Sequence, residues 1–275
     1  MDAAILSRPG RGEPRPGFGE AQATGARPGS LTATWLGRTG YRDAWALQKR
    51  LAAARADELI GDQLLLLEHP AVLTLGRGAD ERHVRAAPAE LRRRDIDVIR
   101  VERGGEVTYH GPGQLVAYPI LKLSGLGLLL RPLVRALEGA MIDTCAAFGV
   151  EAARRDGHPG CWIVPAGAPP RKIGALGLRV ERGVTYHGIA LNVDPDLRDF
   201  DLIDPCGMPE VISTSIADEL GRTSEPPSIQ AVRRAAEVFA EALASRLDLD
   251  LRLETASAAE GEGDLAPPGN AAGGG

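Results

Sequence analysis

The sequence is poor in cysteine and has no long apolar run, and each shortage excludes a class of protein. Its 275 residues include three cysteines, Cys145, Cys161 and Cys206, without a CxxC pair, which argues against a disulfide framework. No stretch of roughly 18 uninterrupted apolar residues is present, and no signal-peptide pattern opens the chain. We therefore expect a cytoplasmic protein that does not enter a membrane.

The chain also lacks an excess of positive charge and the short motifs of metal and nucleotide sites. Its formal net charge is -5, whereas binding to a phosphate backbone needs a basic surface, so nucleic acid is not an expected ligand. The five histidines have no HxH or HExxH spacing, so no zinc site is expected from His110, His187 and Cys206. No Gly-Lys-Ser or Gly-Lys-Thr closes a phosphate-binding loop. We expect neither a metal nor a cofactor.

Lysine is scarce in a chain that otherwise uses arginine as its cation. Of the 32 basic residues, 29 are arginines, and the lysines are Lys49, Lys122 and Lys172. Arginine stays protonated in proteins, whereas a desolvated lysine can lose its proton. A retained lysine therefore hints at a need for a titratable amine, although three lysines can also persist by chance.

Composition divides the chain into a folded domain and two polar ends. Residues 1–30 are rich in Gly, Pro, Ala and Arg, and residues 256–275 in Ala, Gly, Glu and Pro. Such segments bury too little apolar surface to offset the entropy lost on ordering. We predict a disordered leader at residues 1–30, a folded domain at residues 31–255 and a disordered tail at residues 256–275.

Hydrophobic periodicity predicts a mixed α/β (α+β) fold with a largely antiparallel central sheet flanked by helices. Several neighbouring strands are joined by connections too short for a crossover, which favours antiparallel pairing. Turn signals at Gly104-Gly105 and Arg182-Gly183 predict two hairpins. Predicted helices cover residues 41–60, 88–94, 132–148 and 228–247, and predicted strands cover residues 31–36, 63–67, 71–75, 97–102, 106–109, 114–120, 161–164, 173–181, 184–193 and 248–253.

A glycine-rich segment, RGGEVTYHGPGQ at residues 103–114, combines a charged, a hydroxyl-bearing and an imidazole side chain with four glycines. Glycines let a ligand approach the main chain closely. The same glycines could instead serve a plain hairpin by supplying positive φ values. Its core, VTYHG, recurs at residues 184–188, so either two strand ends face one site or the echo is a coincidence.

Lys172 is the first candidate reactive side chain. It heads a run of small and apolar residues, KIGALG at residues 172–177. An amine pressed against such a surface is desolvated, which lowers its pKa. In the alternative interpretation, the stem of the side chain packs and the ammonium group reaches water.

Cys206 is the second candidate, because its surroundings differ from those of the other thiols. Cys145 and Cys161 lie in apolar segments typical of buried, inert cysteines. Cys206 stands between Pro205 and Gly207, in a predicted exposed bend where a thiol can meet a substrate. A half-exposed thiol without a role is the alternative.

Four motifs, in this order and with this spacing, together resemble the octanoyltransferase family of lipoate biosynthesis, lipoyl(octanoyl) transferase. The motifs are RGGEVTYHGPGQ at 103–114, KIGALG at 172–177, HGIALNV at 187–193 and PCG at 205–207. The resemblance covers about residues 31–250. It implies the α/β fold shared by lipoate ligases and biotin protein ligases.

The resemblance also implies roles for individual residues. Cys206 would be the catalytic nucleophile, and Lys172 would lower its pKa and exchange protons with it. His110 and His187 are interpreted as hydrogen-bonding residues around a cleft, or else as core histidines bonded to backbone. The acyl substrate would contact Arg103, Gly104, Gly105, Glu106, Val107, Thr108, Tyr109, His110, Ala175, Leu176, Gly177, Gly188, Ile189 and Ala190.

The implied reaction moves an octanoyl group from octanoyl-acyl carrier protein to Cys206 and then to a lysine of an acceptor protein. The acceptors would be the lipoyl domains of 2-oxoacid dehydrogenase complexes and the glycine cleavage H protein. No ATP is needed, because amide formation from a thioester runs downhill. We expect the enzyme to be a monomer.

Two other functions remain open at this point. An ATP-dependent lipoate or biotin ligase of the same fold would activate a free acid and would need no nucleophilic cysteine. A non-catalytic acyl-binding module would keep the fold without turnover. The presence of Lys172 and Cys206 favours the transferase.

Overall fold

The computed structural model describes residues 29–204, 211–222 and 227–255. The predicted nucleophile, Cys206, lies outside these residues, as do almost all of the predicted leader and tail. The strands are β1 (Gly29–Arg38), β2 (Asp62–Glu68), β3 (Val72–Leu75), β4 (Asp97–Arg100), β5 (Val107–His110), β6 (Gln114–Ile120), β7 (Ala153–Arg155), β8 (His158–Ile163), β9 (Arg171–Glu181), β10 (Val184–Asn192), β11 (Ile212–Ser213) and β12 (Leu249–Thr255). The helices are α1 (Tyr41–Ala56), α2 (Pro88–Arg93), α3 (Leu130–Ala147), α4 (Ile216–Glu219) and α5 (Ile229–Leu247).

The large sheet confirms the predicted mixed, largely antiparallel architecture. Its strands follow the order β12-β1-β2-β6-β10-β9-β8-β7, and β11 pairs with β9 beside this path. β1 is parallel to both β12 and β2, and β11 is parallel to β9, whereas the other pairs are antiparallel. The structure adds β7, β11 and α4, which have three, two and four residues and are too short to show a hydrophobic period.

The small sheet corrects one prediction, because β4 and β5 do not form a hairpin around Gly104 and Gly105. β3 lies between them, parallel to β4 and antiparallel to β5. Residues 101–106 instead bond to the chain that leaves β3: Gly76 N–H donates to Glu106 O at 3.1 Å and Gly78 N–H to Gly105 O at 3.2 Å. The physical reason is that the apolar β3 is buried along its whole length when it is paired on both sides.

Helices cover both faces of the large sheet. On one face, α3 and α5 pack against each other and against the sheet through Leu133, Leu137, Phe239 and Leu243. On the other face, α1 covers β6 and β10 through small side chains such as Ala44 and Ala52. No helix among the described residues is long and apolar enough to span a bilayer.

Local signals explain where these helices begin and end. Ser228 accepts a hydrogen bond from Ala231 N–H at 3.2 Å, which satisfies one of the free amides at the start of α5. Asp248 ends that helix with a left-handed φ of 54°. Gly149, with a φ of 86°, follows the end of α3, as the sequence predicted.

The predicted hairpin at Arg182-Gly183 is confirmed, and it joins the two strands that carry the candidate site. Arg182 and Gly183 have φ values of 50° and 77°, which suit a tight two-residue turn. Residues 174–181 of β9 then pair in continuous register with residues 184–191 of β10. Behind this hairpin, Cys145 and Cys161 are fully buried free thiols, and contact with Cys145, together with burial, raises the pKa of Cys161.

Candidate active site

A cleft opens between the β9–β10 hairpin and the glycine-rich segment at residues 103–110. Thirteen of the sequence-predicted site residues line it, so the chain brings together motifs that lie far apart in sequence. They are Arg103, Gly105, Glu106, Val107, Thr108, His110, Lys172, Ala175, Leu176, Gly177, Gly188, Ile189 and Ala190.

Two predicted substrate contacts lie outside the lining of this cleft. Side chains alternate along β5, so Tyr109 points away from Thr108 and His110, and its hydroxyl donates to Asp199 Oδ2 at 2.5 Å. Gly104 N–H donates to Leu178 O at 3.1 Å, which attaches the glycine-rich segment to β9. Tyr109 and Gly104 therefore support the wall of the cleft from behind.

Lys172 lies near one end of the cleft and is half-buried. Its strand position is fixed from two sides, because Lys172 pairs with Trp162 of β8 and with Ser213 of β11. The Nζ atom lies 5.1 Å from the centroid of the Trp162 ring, a cation–π distance. Gly160 makes room for the stem, since a Cβ at this glycine would lie 3.2 Å from Lys172 Cε.

Arg103 holds the glycine-rich segment in place. Its guanidinium donates through Nη2 to the Thr74 carbonyl at 2.7 Å and to Thr74 Oγ1 at 2.9 Å, and through Nη1 to Gly104 O at 3.0 Å. The segment then lies so close to β9 that a Cβ at Gly177 would come within 2.7 Å of Gly104 O. Glycine is required at residue 177 because the backbone of the opposite wall occupies the position of a side chain.

His110 belongs to a hydrogen-bonded chain of neutral side chains that crosses the base of the cleft. Its Nδ1–H donates to Gln114 Oε1 at 2.8 Å, the Gln114 amide donates to Asn192 Oδ1 at 2.9 Å, and the Asn192 amide donates to Thr214 O at 2.9 Å. Burial holds the pKa of His110 well below 6.5, helped by His69 and Arg103. The chain links β5 to the segment beside Lys172 without introducing a charge.

The structure adds lining residues that the sequence did not reveal, including Tyr41, Tyr118, Phe200, Ile203 and Ser213. Tyr118 donates its hydroxyl to His69 Nε2 at 2.7 Å, and His69 Nδ1–H donates to Thr39 O at 2.6 Å. Burial raises the pKa of both Tyr41 and Tyr118. No local pattern marks these residues, since only the strand order brings Tyr118 next to β10.

The buried His69 makes the stability of the protein sensitive to acid. Burial lowers the pKa of His69 to about 4, whereas an unfolded histidine titrates near about 6.5. Between these values the unfolded chain binds the proton that the folded protein excludes, so stability is complete above pH 6.5 and falls as the pH approaches 4. At about 1.4 kcal/mol per pKa unit, His69 alone is expected to remove roughly 3 kcal/mol, and the measurement is urea unfolding across this pH range.

The control for this prediction is a pair of variants at the same contact. His69→Gln should flatten the dependence of unfolding free energy on pH by about one proton between pH 4 and 6.5. Tyr118→Phe keeps the buried imidazole and should therefore keep the wild-type slope. An unchanged slope in His69→Gln would contradict the assignment.

His187 departs from the other histidines of the cleft. It lies inside β10 with a φ of 56°, a left-handed value that is rare outside glycine. Only 1% of its surface is exposed, and neither ring nitrogen has a hydrogen-bond partner among the residues that the structure describes. The sequence predicted a hydrogen-bonding histidine, but not this backbone conformation.

The chain is similar to known proteins over most of its length. The model of the lipoyl protein ligase A/B catalytic domain matches residues 40–240, which include every residue that lines the cleft. An octanoyltransferase from Chloroflexus aurantiacus (strain ATCC 29366 / DSM 635 / J-10-fl) is 48% identical over 214 residues, which cover 77% of this chain and 95% of that protein. An octanoyltransferase from Rhodococcus opacus (strain B4) is 42% identical over 248 residues, which cover 88% of this chain and 93% of that protein.

Solved structures confirm the predicted fold. A bipartite lipoate protein ligase from Thermoplasma acidophilum is 17% identical with a TM-score of 0.57, and the match covers 83% of this chain and 88% of that one. A lipoate-protein ligase A solved with bound ATP is also 17% identical, with a TM-score of 0.56, and the match covers 84% and 90% of the two chains. The chain belongs to the lipoyl protein ligase A/B catalytic-domain family and, within it, to the octanoyltransferases, which are acyltransferase enzymes.

Proposed function

We propose that this protein transfers an octanoyl group from octanoyl-acyl carrier protein to a lysine of a lipoyl domain, through a thioester on Cys206. The observation that carries the proposal is the position of Lys172, a half-buried amine at one end of a cleft with largely apolar walls. A positioned amine can accept a proton from a thiol, which no arginine in this chain could do. The sequence identity of 42–48% with octanoyltransferases also supports octanoyl transfer.

The first half of the reaction loads the enzyme. The Cys206 thiol gives its proton to the Lys172 amine, and the resulting thiolate attacks the thioester carbonyl of the donor. The bond between the carbonyl carbon and the carrier sulfur breaks, and the leaving thiolate takes the proton from Lys172 and becomes a thiol. One thioester replaces another, so this step is close to thermoneutral.

The second half delivers the acyl group. The acceptor lysine arrives protonated and must lose a proton before its nitrogen can attack, and the neutral Lys172 amine accepts that proton. The new amide forms as the bond to Cys206 sulfur breaks. The attacking nitrogen gives its second proton to the departing Cys206 thiolate, and Lys172 releases the first proton to solvent. Amide formation from a thioester runs downhill, so the cycle needs neither ATP nor a cofactor.

The cleft offers an apolar surface for the acyl chain beside Lys172. Its lining includes small and aliphatic side chains, those of Ala175, Leu176, Ile189 and Ala190. Each buried methylene contributes about 0.8 kcal/mol to binding. A medium-length chain therefore supplies enough affinity to position its carbonyl for transfer.

The proposed acceptors are the lipoyl domains of 2-oxoacid dehydrogenase complexes and the glycine cleavage H protein. The proposed place is the cytoplasm, a reducing compartment that suits the free thiols of Cys145 and Cys161. An ATP-dependent ligase is the competing function, because lipoate ligases share the fold. The two functions differ in whether turnover requires ATP.

Intact-mass spectrometry with octanoyl-acyl carrier protein, in the absence of ATP, tests the proposal. We expect one octanoyl adduct on the wild-type enzyme, which a small thiol reagent removes and which peptide mapping places on Cys206. Cys206→Ala should form no adduct, whereas the matched control Cys145→Ala should form the wild-type adduct. An adduct that persists in Cys206→Ala, or turnover that requires ATP, would refute the mechanism.

A further inference from the structure

His187 occupies a strained position in a strand that is otherwise regular. Its φ of 56° costs a non-glycine residue about 1–3 kcal/mol, yet the pairing of β10 with β9 continues without a break on both sides of it. Such strain persists only where the surrounding structure enforces it. The elements around His187 show how it is enforced.

The neighbouring strand β6 cannot pair with β10 at this point. Direct pairing of the two strands ends at Ile189 and Ala117. Two residues further along β6 is Pro119, which has no amide hydrogen to donate. Thr185 fills the gap with its side chain, because its hydroxyl donates to Pro119 O at 2.6 Å. The backbone amide of His187 instead donates to Oε1 of Gln48, a residue of α1, at 2.8 Å.

The left-handed backbone conformation of His187 changes the direction in which its imidazole points. Ile189 and Leu191 lie in the core under α3 and α5, and regular alternation would direct residue 187 to that same face. The ring lies instead beside Tyr186, with centroids 5.0 Å apart, and edge-on to Tyr118 at 6.4 Å. His187 lines the cleft.

The imidazole at the edge of the cleft has unused hydrogen-bonding capacity. Glu102 Oε2 lies 3.9 Å from Nε2, which is too far for a hydrogen bond, and neither ring nitrogen has another partner within the described ranges. Burial lowers the pKa of His187 to about 4, so at neutral pH the ring offers one donor and one acceptor. Both nitrogens are buried, and a buried polar group left unpaired is costly, so a polar group that reached either of them from the cleft would be bound favourably.

His187 lies at the opposite end of the cleft from Lys172. It pairs with Leu178 of β9, six residues along the strand from Lys172, which corresponds to about 20 Å at ~3.3 Å per residue. An extended eight-carbon chain is about 9 Å long, since each C–C bond of ~1.5 Å advances it by about 1.25 Å. The thioester group, the reacting amine and the imidazole ring occupy the remaining length.

We propose that His187 forms a polar end wall of the acyl slot and recognises the far end of the acyl chain. An unsubstituted chain of octanoyl length stops against the ring, and a longer one meets a surface that is unfavourable for methylenes. A chain that carries a hydroxyl at its far end gains a hydrogen bond there. This inference rests on the proposed acyl transfer and names the residue that sets its specificity.

The test is a competition among acyl donors. Carrier thioesters of octanoate, dodecanoate and 8-hydroxyoctanoate are supplied to the wild type and to His187→Gly, and kcat/KM is measured for each. We expect His187→Gly to raise the ratio of dodecanoyl to octanoyl transfer by at least tenfold, because the ring no longer blocks the slot. The ratio of 8-hydroxyoctanoyl to octanoyl transfer should fall by about tenfold, because the hydrogen bond is lost.

Two further variants keep the test decisive. Asp248→Gly relieves a left-handed φ of 54° at the end of α5, outside the cleft, and should leave both ratios unchanged. His187→Asn tolerates the same backbone conformation and keeps a hydrogen-bonding amide, so it should retain transfer of the hydroxylated donor even if His187→Gly does not fold. Ratios in the His187 variants that equal those of Asp248→Gly would overturn the inference, as would a parallel loss with every donor. Failure of the proposed function would appear differently, as an absence of transfer from any donor by the wild type.

Discussion

Replacing Lys172 by arginine is expected to slow octanoyl transfer by about 10²–10⁴-fold, the usual contribution of a positioned acid–base group. Arginine keeps the positive charge and can stack on the Trp162 ring that Lys172 faces at 5.1 Å. It cannot give up its proton, however, so it cannot accept one from the thiol or from the incoming ammonium. The loss should therefore appear in kcat, with little change in KM for the donor.

Rapid-mixing measurements of the two half-reactions check this prediction. Formation of the acyl-enzyme and transfer to the acceptor should both slow in Lys172→Arg, because the same amine serves both. The matched control is Lys122→Arg, since Lys122 pairs with Glu58 at the surface and lies outside the cleft. A Lys172→Arg enzyme that works within about threefold of the wild type would remove Lys172 from the proposed chemistry.

Replacing Gly113 by alanine is expected to destabilise the protein by at least about 4 kcal/mol, a loss reserved for severe packing defects. Gly113 has a φ of 83°, and a Cβ there would lie 2.2 Å from Asp194 O. Because that neighbour is backbone, the clash cannot be relieved by a side-chain rotation. Its amide also donates to the buried Glu68 Oε1 at 2.9 Å, so a shift of this turn would break a buried hydrogen bond as well.

Gly183→Ala is the comparison that separates the cost of a left-handed backbone from the cost of a steric clash. Gly183 has a nearly equal φ of 77°, but a Cβ there meets nothing within 4 Å. Its cost should be limited to the left-handed backbone, about 1–2 kcal/mol. Urea unfolding of the two variants should therefore differ by roughly 2–3 kcal/mol, and equal losses would show that the contact with Asp194 does not constrain the turn.

Local sequence signals predicted the structure correctly wherever the interacting residues are close together in the sequence. The Arg182-Gly183 turn and the Ser228 cap both act over a few residues, and both were predicted correctly. The Gly104-Gly105 turn gave an equally clear local signal, but the predicted hairpin is wrong because β3 intervenes. Burial of β3 places it between β4 and β5. This is a tertiary effect, and no local turn signal contains it.

The sequence motifs predicted many of the residues that line the candidate site. The alternation of side chains along a strand is enough to separate Tyr109 from His110 on sequence grounds, whereas the resemblance treats residues 103–110 as one block. The conformation of His187 was beyond reach, because it depends on Pro119 in another strand and on Gln48 in a helix. The role of Cys206 stays a prediction, since this residue lies outside the described ranges.

The placement of β1 between β12 and β2 affects how fast the protein folds and when its sheet is completed during synthesis. Gly29 pairs with Leu249, and Trp35 with Thr255, so contacts between the two ends of the domain complete the sheet. Such contacts raise the contact order and slow folding, because a very long loop must close before they form. While the chain is being synthesised, β1 stays an open edge whose Leu31 and Ala33 are destined for the core, and it is protected only after β12 has left the ribosome.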